Sequence, residues 1–207
     1  MSDSLLDEMA IRALVVEERY CRDTDQFEAL RRCYHPDPSK TFIDIIRYHG
    51  DIDGFLERSS SMAGQGTSSI HTINPVQITL NGDKAFSVSL GSIISRFSQD
   101  GVDYDLVSQC RFLSRLERTG EEARRGWKML SMQVIYVQDA ITPAFPAELR
   151  DDVNDAVGEG MASRESYRGL AYVLAQMGDP VTDTLPGTDD PGSVEALQQQ
   201  NLSWVHE

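Results

Sequence analysis

The feature that most limits how this chain can fold is a short alternation, Val76, Ile78 and Leu80 separated by polar residues, that runs into Asn81-Gly82. Alternation puts the three apolar side chains on one face of a strand, and Asn-Gly supplies the positive-φ positions of a two-residue hairpin turn. Residues Ala85 to Phe97 then read as the returning strand, and Tyr104 to Arg118 and Trp127 to Ala140 repeat the β-like composition. The turn formers Gln99-Asp100-Gly101 and the polar stretch Thr119 to Gly126 separate these runs. The middle of the chain is therefore predicted to be a sheet of long antiparallel strands.

Ahead of the sheet the period is helical. Leu6, Met9, Ala10, Ala13 and Leu14 form a stripe between Leu5 and about Arg22, widened by Ile11, Val15 and Val16. Asp25 and Glu28 have capping-box separation around Phe27, Leu30 and Tyr34, which predicts a short second helix ended by Pro36. Lys40 to Tyr48 is rich in β-branched and aromatic residues, and Asp53 is the expected cap of a third helix containing Phe55 and Leu56. Helices followed by long antiparallel strands predict an α+β fold in which the helices cover the inner face of a curved sheet. Beyond Pro146 come the acidic DDVNDAVGEG, a helix-like run from Ser163 to Met177 stopped by Gly178, a Pro/Gly loop from Asp179 to Ser193, and helical spacing again at Val194, Leu197, Asn201 and Trp204.

Composition narrows the function classes. A chain of 207 residues with 40% hydrophobic and 25% charged residues has room for a single core. Its net charge of −14, from 33 acids against 19 bases, repels phosphate backbones and anionic lipid, so neither nucleic acid nor a membrane surface is an expected partner. No run approaches the roughly 18 apolar residues needed to span a bilayer, and MSDSLLDEMAIR lacks a basic start with an apolar stretch behind it. A cytoplasmic protein is the expectation. Cys21, Cys33 and Cys110 are unspaced for metal or disulfide chemistry and sit in apolar patterns, as buried free thiols do. His35, His49, His71 and His206 have no chelating spacing, so no metal site is expected. Nucleotide-binding, hydrolase-elbow and zincin motifs are absent.

Individual residues remain open on this reading. His71 precedes a strand and serves equally as a satisfied strand-end histidine or as a cavity group; Asp23, between two helices, serves as a cap or as a functional carboxylate. Cys110, Phe112 and Leu116 share one strand face, and Arg111, Leu113 and Arg115 the other. Arg111 either pairs with a carboxylate inside a barrel or reaches solvent. Trp127 and Tyr136 are core or cavity lining.

Four stretches carry a family resemblance. IRALVVEERYCRDTDQFEALRRCYHPD, with Ile11, Asp23 and Leu30 at key positions, HTINPVQITLNGDKA, RFLSRLERTGEEARRGWKML and RESYRGLAYVLAQMGDPVTDTLPGTDDPGSVEAL together resemble the SnoaL-like branch of the nuclear transport factor 2-like superfamily. The first is similar to that branch's opening helices, the second to its histidine-plus-hairpin segment, the third to its arginine strand, turn and tryptophan strand, and the last to a C-terminal extension of some bacterial members. The resemblance implies a cone-shaped α+β barrel of a curved antiparallel sheet on N-terminal helices over residues 1–147, and a helical extension over 148–207 that packs on the barrel or on a neighbouring subunit.

In dehydratase and dehydrochlorinase relatives, an aspartate at the first helix end and a histidine before the hairpin form a dyad, which implies catalytic roles for Asp23 and His71. Registered on Tyr20-Cys21-Arg22, Asp25 falls near the same position. Arg111 matches a recurrent strand arginine that holds the dyad or substrate; Tyr48, Tyr34 and Trp127 are further candidate substrate contacts. At the later strand, where many relatives carry an arginine after the tryptophan, this chain has Met132-Gln133. The resemblance implies a lyase that needs no cofactor, removing water or a comparable group from a small hydrophobic ring compound such as a steroid or lignin-derived aromatic, or releasing formaldehyde by retro-aldol cleavage. Isomerase or cyclase chemistry is a variant, and a non-catalytic ligand-binding or assembly module of the same fold is the competing class. An open sheet face predicts a homodimer or homotrimer.

Overall fold

A computed structural model describes residues 3–63, 69–99, 101–120, 126–145, 164–179 and 181–207. The acidic 151–160 stretch, most of the Ser/Gly segment before Ser69, Asp100, the 121–125 turn and the predicted helix start at Ser163 lie outside these residues.

Helix α1 (Asp3–Asp23) buries Ile11, Val15 and Cys21, and with them Glu18 and Arg19. The apolar stripe read from the sequence is thus only half correct, because Leu6, Met9 and Val16 face outward. Ile11 and Val15 belong to a second, overlapping face that continues into Glu18-Arg19. That face enters the core because the two charges neutralise each other there. Asp25 does not cap α2 (Phe27–Cys33): it adopts φ 56° and turns the chain, leaving Gln26 as an N-cap without a side-chain bond. Aspartate tolerates this left-handed conformation better than most residues. Helix α3 (Ile52–Ala63) is capped by Asp51, whose Oδ1 accepts the Gly54 N–H at 2.9 Å. The expected cap, Asp53, lies within the first turn and pairs with Arg31 at 2.7 Å.

The strands are β1 (Phe42–Ile45), β2 (Tyr48–Gly50), β3 (Ser69–Asn81), β4 (Lys84–Gln99), β5 (Val102–Thr119), β6 (Gly126–Met129) and β7 (Ser131–Pro143). They form one sheet in the order β2-β1-β7-β5-β4-β3, with β6 also on β5. All pairs are antiparallel except β1–β7. The hairpin forms where expected but one residue later in detail: Asn81 is the last paired residue of β3, opposite Lys84, and Gly82-Asp83 make the two-residue loop with Gly82 alone at positive φ, 59°. The expected Trp127–Ala140 strand breaks at Leu130, whose N–H turns to the Arg115 carbonyl. Register shifts at Pro75/Gln77 and Gln109/Cys110 mark bulges; bulges increase local bend and twist, and Pro75, with no N–H to donate, is tolerated on edge strand β3. The result is the cone-shaped α+β fold expected, curved but unclosed.

The two sheet faces carry separate cores. On the inner face Leu106, Cys110, Phe112, Val134 and Tyr136 pack with α1 and α2 and with α4 (Arg168–Gln176). On the outer face Phe86, Val88, Leu113 and Ile135 pack under α5 (Pro191–His206) through Val194, Leu197 and Val205. Between the helices, Pro186 to Thr188 joins the sheet alongside Tyr136, with bonds of 3.0 and 2.9 Å. Within this chain the two tail helices pack on opposite faces of the sheet. Trp204 sits near the outer face beneath Lys84 and Arg115, whose charges lie 5.0 and 5.3 Å from its ring.

All three cysteines are buried and free, and burial pushes the thiols of Cys33 and Cys110 up to about 12. Among the described residues no helix is long and apolar enough to cross a membrane. Gly91 lets β3 close on β4 near His71, since a Cβ there would collide with the Thr72 carbonyl oxygen. Gly91→Ala is expected to cost about 1–3 kcal/mol, measured as a shift of the urea midpoint at unchanged slope.

Candidate active site

Asp23 is the last residue of α1, and His71 lies near the start of β3, opposite Ile93 of β4. The Asp23 carboxylate grips this histidine twice: Oδ1 lies 2.7 Å from Nδ1 of the ring, and Oδ2 accepts the His71 backbone N–H at 2.6 Å. One bond orients the imidazole and the other anchors the strand that carries it. A carboxylate at Nδ1 assigns the ring proton to that nitrogen and leaves Nε2 with the lone pair. Both side chains are about nine-tenths buried, at 10% and 11% exposure. Burial lowers the pKa of His71 below the ordinary histidine value; the Asp23 hydrogen bond opposes this, and the charges of Arg19 and Arg22 add to the lowering. The ring is therefore neutral at neutral pH and competent to accept a proton. Asp25 is exposed and takes no part.

His71 lines a pocket whose empty space, open solvent at its mouth included, is about 890 Å³. Ile93, Leu106, Phe112 and Val134 form its sheet wall, Phe55 and Met62 come from α3, and Leu170, Val173 and Leu174 of α4 roof it. Tyr136 is a polar feature in this apolar lining: its phenol oxygen accepts the Ile46 N–H at 2.8 Å and keeps its own proton to donate. Burial holds that phenol well above the usual tyrosine pKa, hence protonated. Among the described residues no three His, Cys, Asp or Glu side chains converge as ligands for a metal ion.

Of the residues the sequence nominated, Asp23 and His71 meet, and Tyr48 lines the same pocket with its hydroxyl donating to the Asp51 carbonyl at 2.9 Å. The others are elsewhere. Arg111 lies on the outer face beside Thr188, Val194 and Glu195, because strand alternation sends it with Leu113 away from inward-pointing Phe112. Tyr34 is buried behind the pocket, its hydroxyl 3.0 Å from Glu18. Trp127 donates to Asp7 at 3.0 Å and stacks under Arg118, in the region where α1 begins. Where an arginine is common in relatives, Met132 lines the pocket and Gln133 turns outward to Asn201.

Several arginines reach the pocket that the sequence does not nominate. Arg19 lines it, held by Glu18 with Nε–Oε2 at 2.6 Å; Arg22 lines it one residue before Asp23; Arg47 and Arg58 both reach Asp179 just beyond α4. The usable signal was Glu18-Arg19 falling on the Ile11–Val15 face of a helix, where solvated charges do not belong.

Comparison with known proteins matches residues 3–133 to the model of a family described as the SnoaL-like domain. A PEP2-like protein of Fusarium vanettenii is 26% identical over 97% of this chain and 86% of its own length. Among solved structures, a type 2 hexachlorocyclohexane dehydrochlorinase superposes with a TM-score of 0.54 at 14% identity, covering 73% of this chain and 97% of that one. A provisionally named scytalone dehydratase from Novosphingobium aromaticivorans gives 0.52 at 17% identity, covering 73% and 100%. At these identities the superpositions establish the fold.

Proposed function

This chain belongs to the SnoaL-like domain family, and on that basis we propose that it is a cofactor-independent lyase acting on a small hydrophobic ring compound. The observation that carries the reading is the Asp23–His71 bond of 2.7 Å on the wall of an apolar pocket. Nε2 of His71 takes a proton from a carbon next to an activating group, and the C–H electrons form the new C=C bond as the C–O bond to the leaving hydroxyl breaks. The imidazolium returns its proton to the departing oxygen, which leaves as water. Asp23 stabilises the imidazolium between the two transfers, and the Tyr136 hydroxyl, which lines the pocket with its proton free, is the donor proposed for charge developing on the substrate. On a 1,3-diol the same base removes the terminal hydroxyl proton, formaldehyde departs as its C–C bond breaks, those electrons form a C=C bond as the other hydroxyl leaves, and the imidazolium protonates that hydroxyl to water. The apolar walls favour a flat ring.

The test is a panel of ring-bearing β-hydroxy ketones, followed by absorbance of the conjugated product and by deuterium uptake from solvent into recovered substrate. Product or exchange above the His71→Ala background is expected. A pocket that binds such compounds yet yields neither signal would make the protein a binding module.

The open sheet face from which self-association was expected is covered by α5, so self-association is proposed instead through α1. Leu6, Met9, Val16 and Tyr20 expose an apolar stripe along α1, between 43% and 60% accessible, of the kind that soluble chains bury against a partner. Sedimentation at micromolar concentration is expected to give a dimer or trimer, and a monomer would contradict it.

A further inference from the structure

For a chain of net charge −14, the pocket is rich in cations: Arg19, Arg22, Arg47, Arg58 and Arg96 all line it. Four of them have a carboxylate. Arg19 is held by Glu18, Arg47 and Arg58 share Asp179, and Arg96 is gripped by Asp105 at 2.7 and 2.9 Å. Arg22 has no hydrogen bond or ion pair among the described residues. Its neighbour Asp23 engages His71 with both oxygens. Glu18 engages Arg19 with both of its own. As the basic residue in the last turn of α1, Arg22 gains the modest attraction of that helix end but no hydrogen bond among the described residues. Arg22 is only partly exposed, and burial with the charge of Arg19 works against its cation while Asp23, Glu18 and Asp25 partly offset this without bonding it, so an anion from outside the chain fits the open donors.

We propose that the ligand of this pocket carries a carboxylate, taken by the Arg22 guanidinium, with its ring against Phe112, Ile93 and Leu174. The proposal rests on the reading of this pocket as the substrate site. A guanidinium presents two parallel N–H donors that match a carboxylate, and shielding from water strengthens the pair. Arg22 adjoins Asp23 in sequence and is close enough to His71 to disfavour its protonation, so a bound acid is held with a nearby carbon beside the base. The carboxylate also cancels the repulsion Arg22 exerts on a protonated His71. An acidic substrate thereby strengthens the base that is to take its proton.

The probes are 2-naphthoate and 2-naphthamide, equal in shape and without a leaving group, titrated into the full chain by calorimetry. The acid is expected to bind about 10- to 100-fold more tightly than the amide, the range of one or two charge-assisted hydrogen bonds. Arg22→Gln is expected to remove that preference while leaving amide affinity unchanged, which also reports that the variant is folded; Arg22→Lys is expected to retain part of it. Equal affinities, tighter amide binding, no binding of the acid, or a preference that survives Arg22→Gln would each overturn the proposal. If Arg22→Gln does not fold, equal wild-type affinities still overturn the proposal, and Arg22→Lys, which keeps the charge, assigns any preference to this position by reducing it. His71→Ala is expected to keep the acid preference, so a protein that prefers the acid but eliminates nothing disproves the reaction and leaves the ligand class standing.

Discussion

Replacing His71 with alanine is expected to lower the elimination rate by about 10²- to 10⁴-fold, the contribution of a positioned general base, with little change in substrate affinity. The ring adds little to the apolar walls that hold the substrate, but it is the group on the pocket face with a free lone pair and a fixed tautomer. Asp23→Asn tests the same unit from its other end. The amide keeps the shape, yet its oxygen or its NH₂ must face Nδ1, and neither choice provides a charge to stabilise the imidazolium. Rates with both variants should fall, and the double variant should be little worse than His71→Ala, because the two residues act as one. The pH profile has a definite sign. His71 works when neutral and its pKa is lowered by burial, so the rate is flat through neutrality and falls on acidification, with a midpoint below the ordinary 6.5. A midpoint above that value would mean that the Asp23 bond outweighs burial. Full activity in His71→Ala would end the lyase proposal.

Glu18→Ala is expected to produce the largest loss of stability, about 3–5 kcal/mol, which is what leaving one member of a buried ion pair without its partner costs. Glu18 and Arg19 are 1% and 3% exposed. Removing the carboxylate strands the Arg19 guanidinium in the core and takes the acceptor from the Tyr34 hydroxyl. The urea midpoint should drop sharply. Substituting both residues with methionine is expected to recover most of the loss, since an apolar pair of similar volume carries no desolvation penalty. A single change costing under about 1 kcal/mol would show that water reaches the pair. Because Arg19 also lines the pocket, the doubly substituted protein separates its structural part from any part it plays toward ligand.

Much of the fold was legible along the chain, and the reasons are local. Gly82 adopts positive φ at no steric cost, so the hairpin formed where predicted, although Asn81 stayed in the strand and Gly82-Asp83 became the loop. The long β-like runs became long strands because alternation over a dozen residues leaves few other arrangements. Caps were less legible. Asp51, Asp53 and Asp25 are chemically equal as candidates, and only the path of the chain between α1 and α2, and from β2 into α3, decided that Asp51 would cap while Asp25 turned. The dyad was visible only through family resemblance, since nothing across a separation of 48 residues tells an aspartate that a histidine awaits it.

Periodicity states which residues share a face, and for β5 it groups Arg111 with Leu113 and Phe112 with Cys110 from the order of residues alone. It does not state which face looks inward. That choice belongs to the packing, in which α4 roofs one side of the sheet and α5 covers the other, so that both faces are buried and either group is at home in a core. For the same reason α1 offered two apolar stripes, and packing selected the one carrying Glu18 and Arg19. The order of residues was enough to set the elements, their succession along the chain and the family. The enclosure around His71, the removal of Arg111 and Trp127 from it, and the convergence of five arginines on one pocket were settled by how the layers stack. Local preferences act over a few residues, whereas burial is a property of surfaces that meet only once the chain has folded.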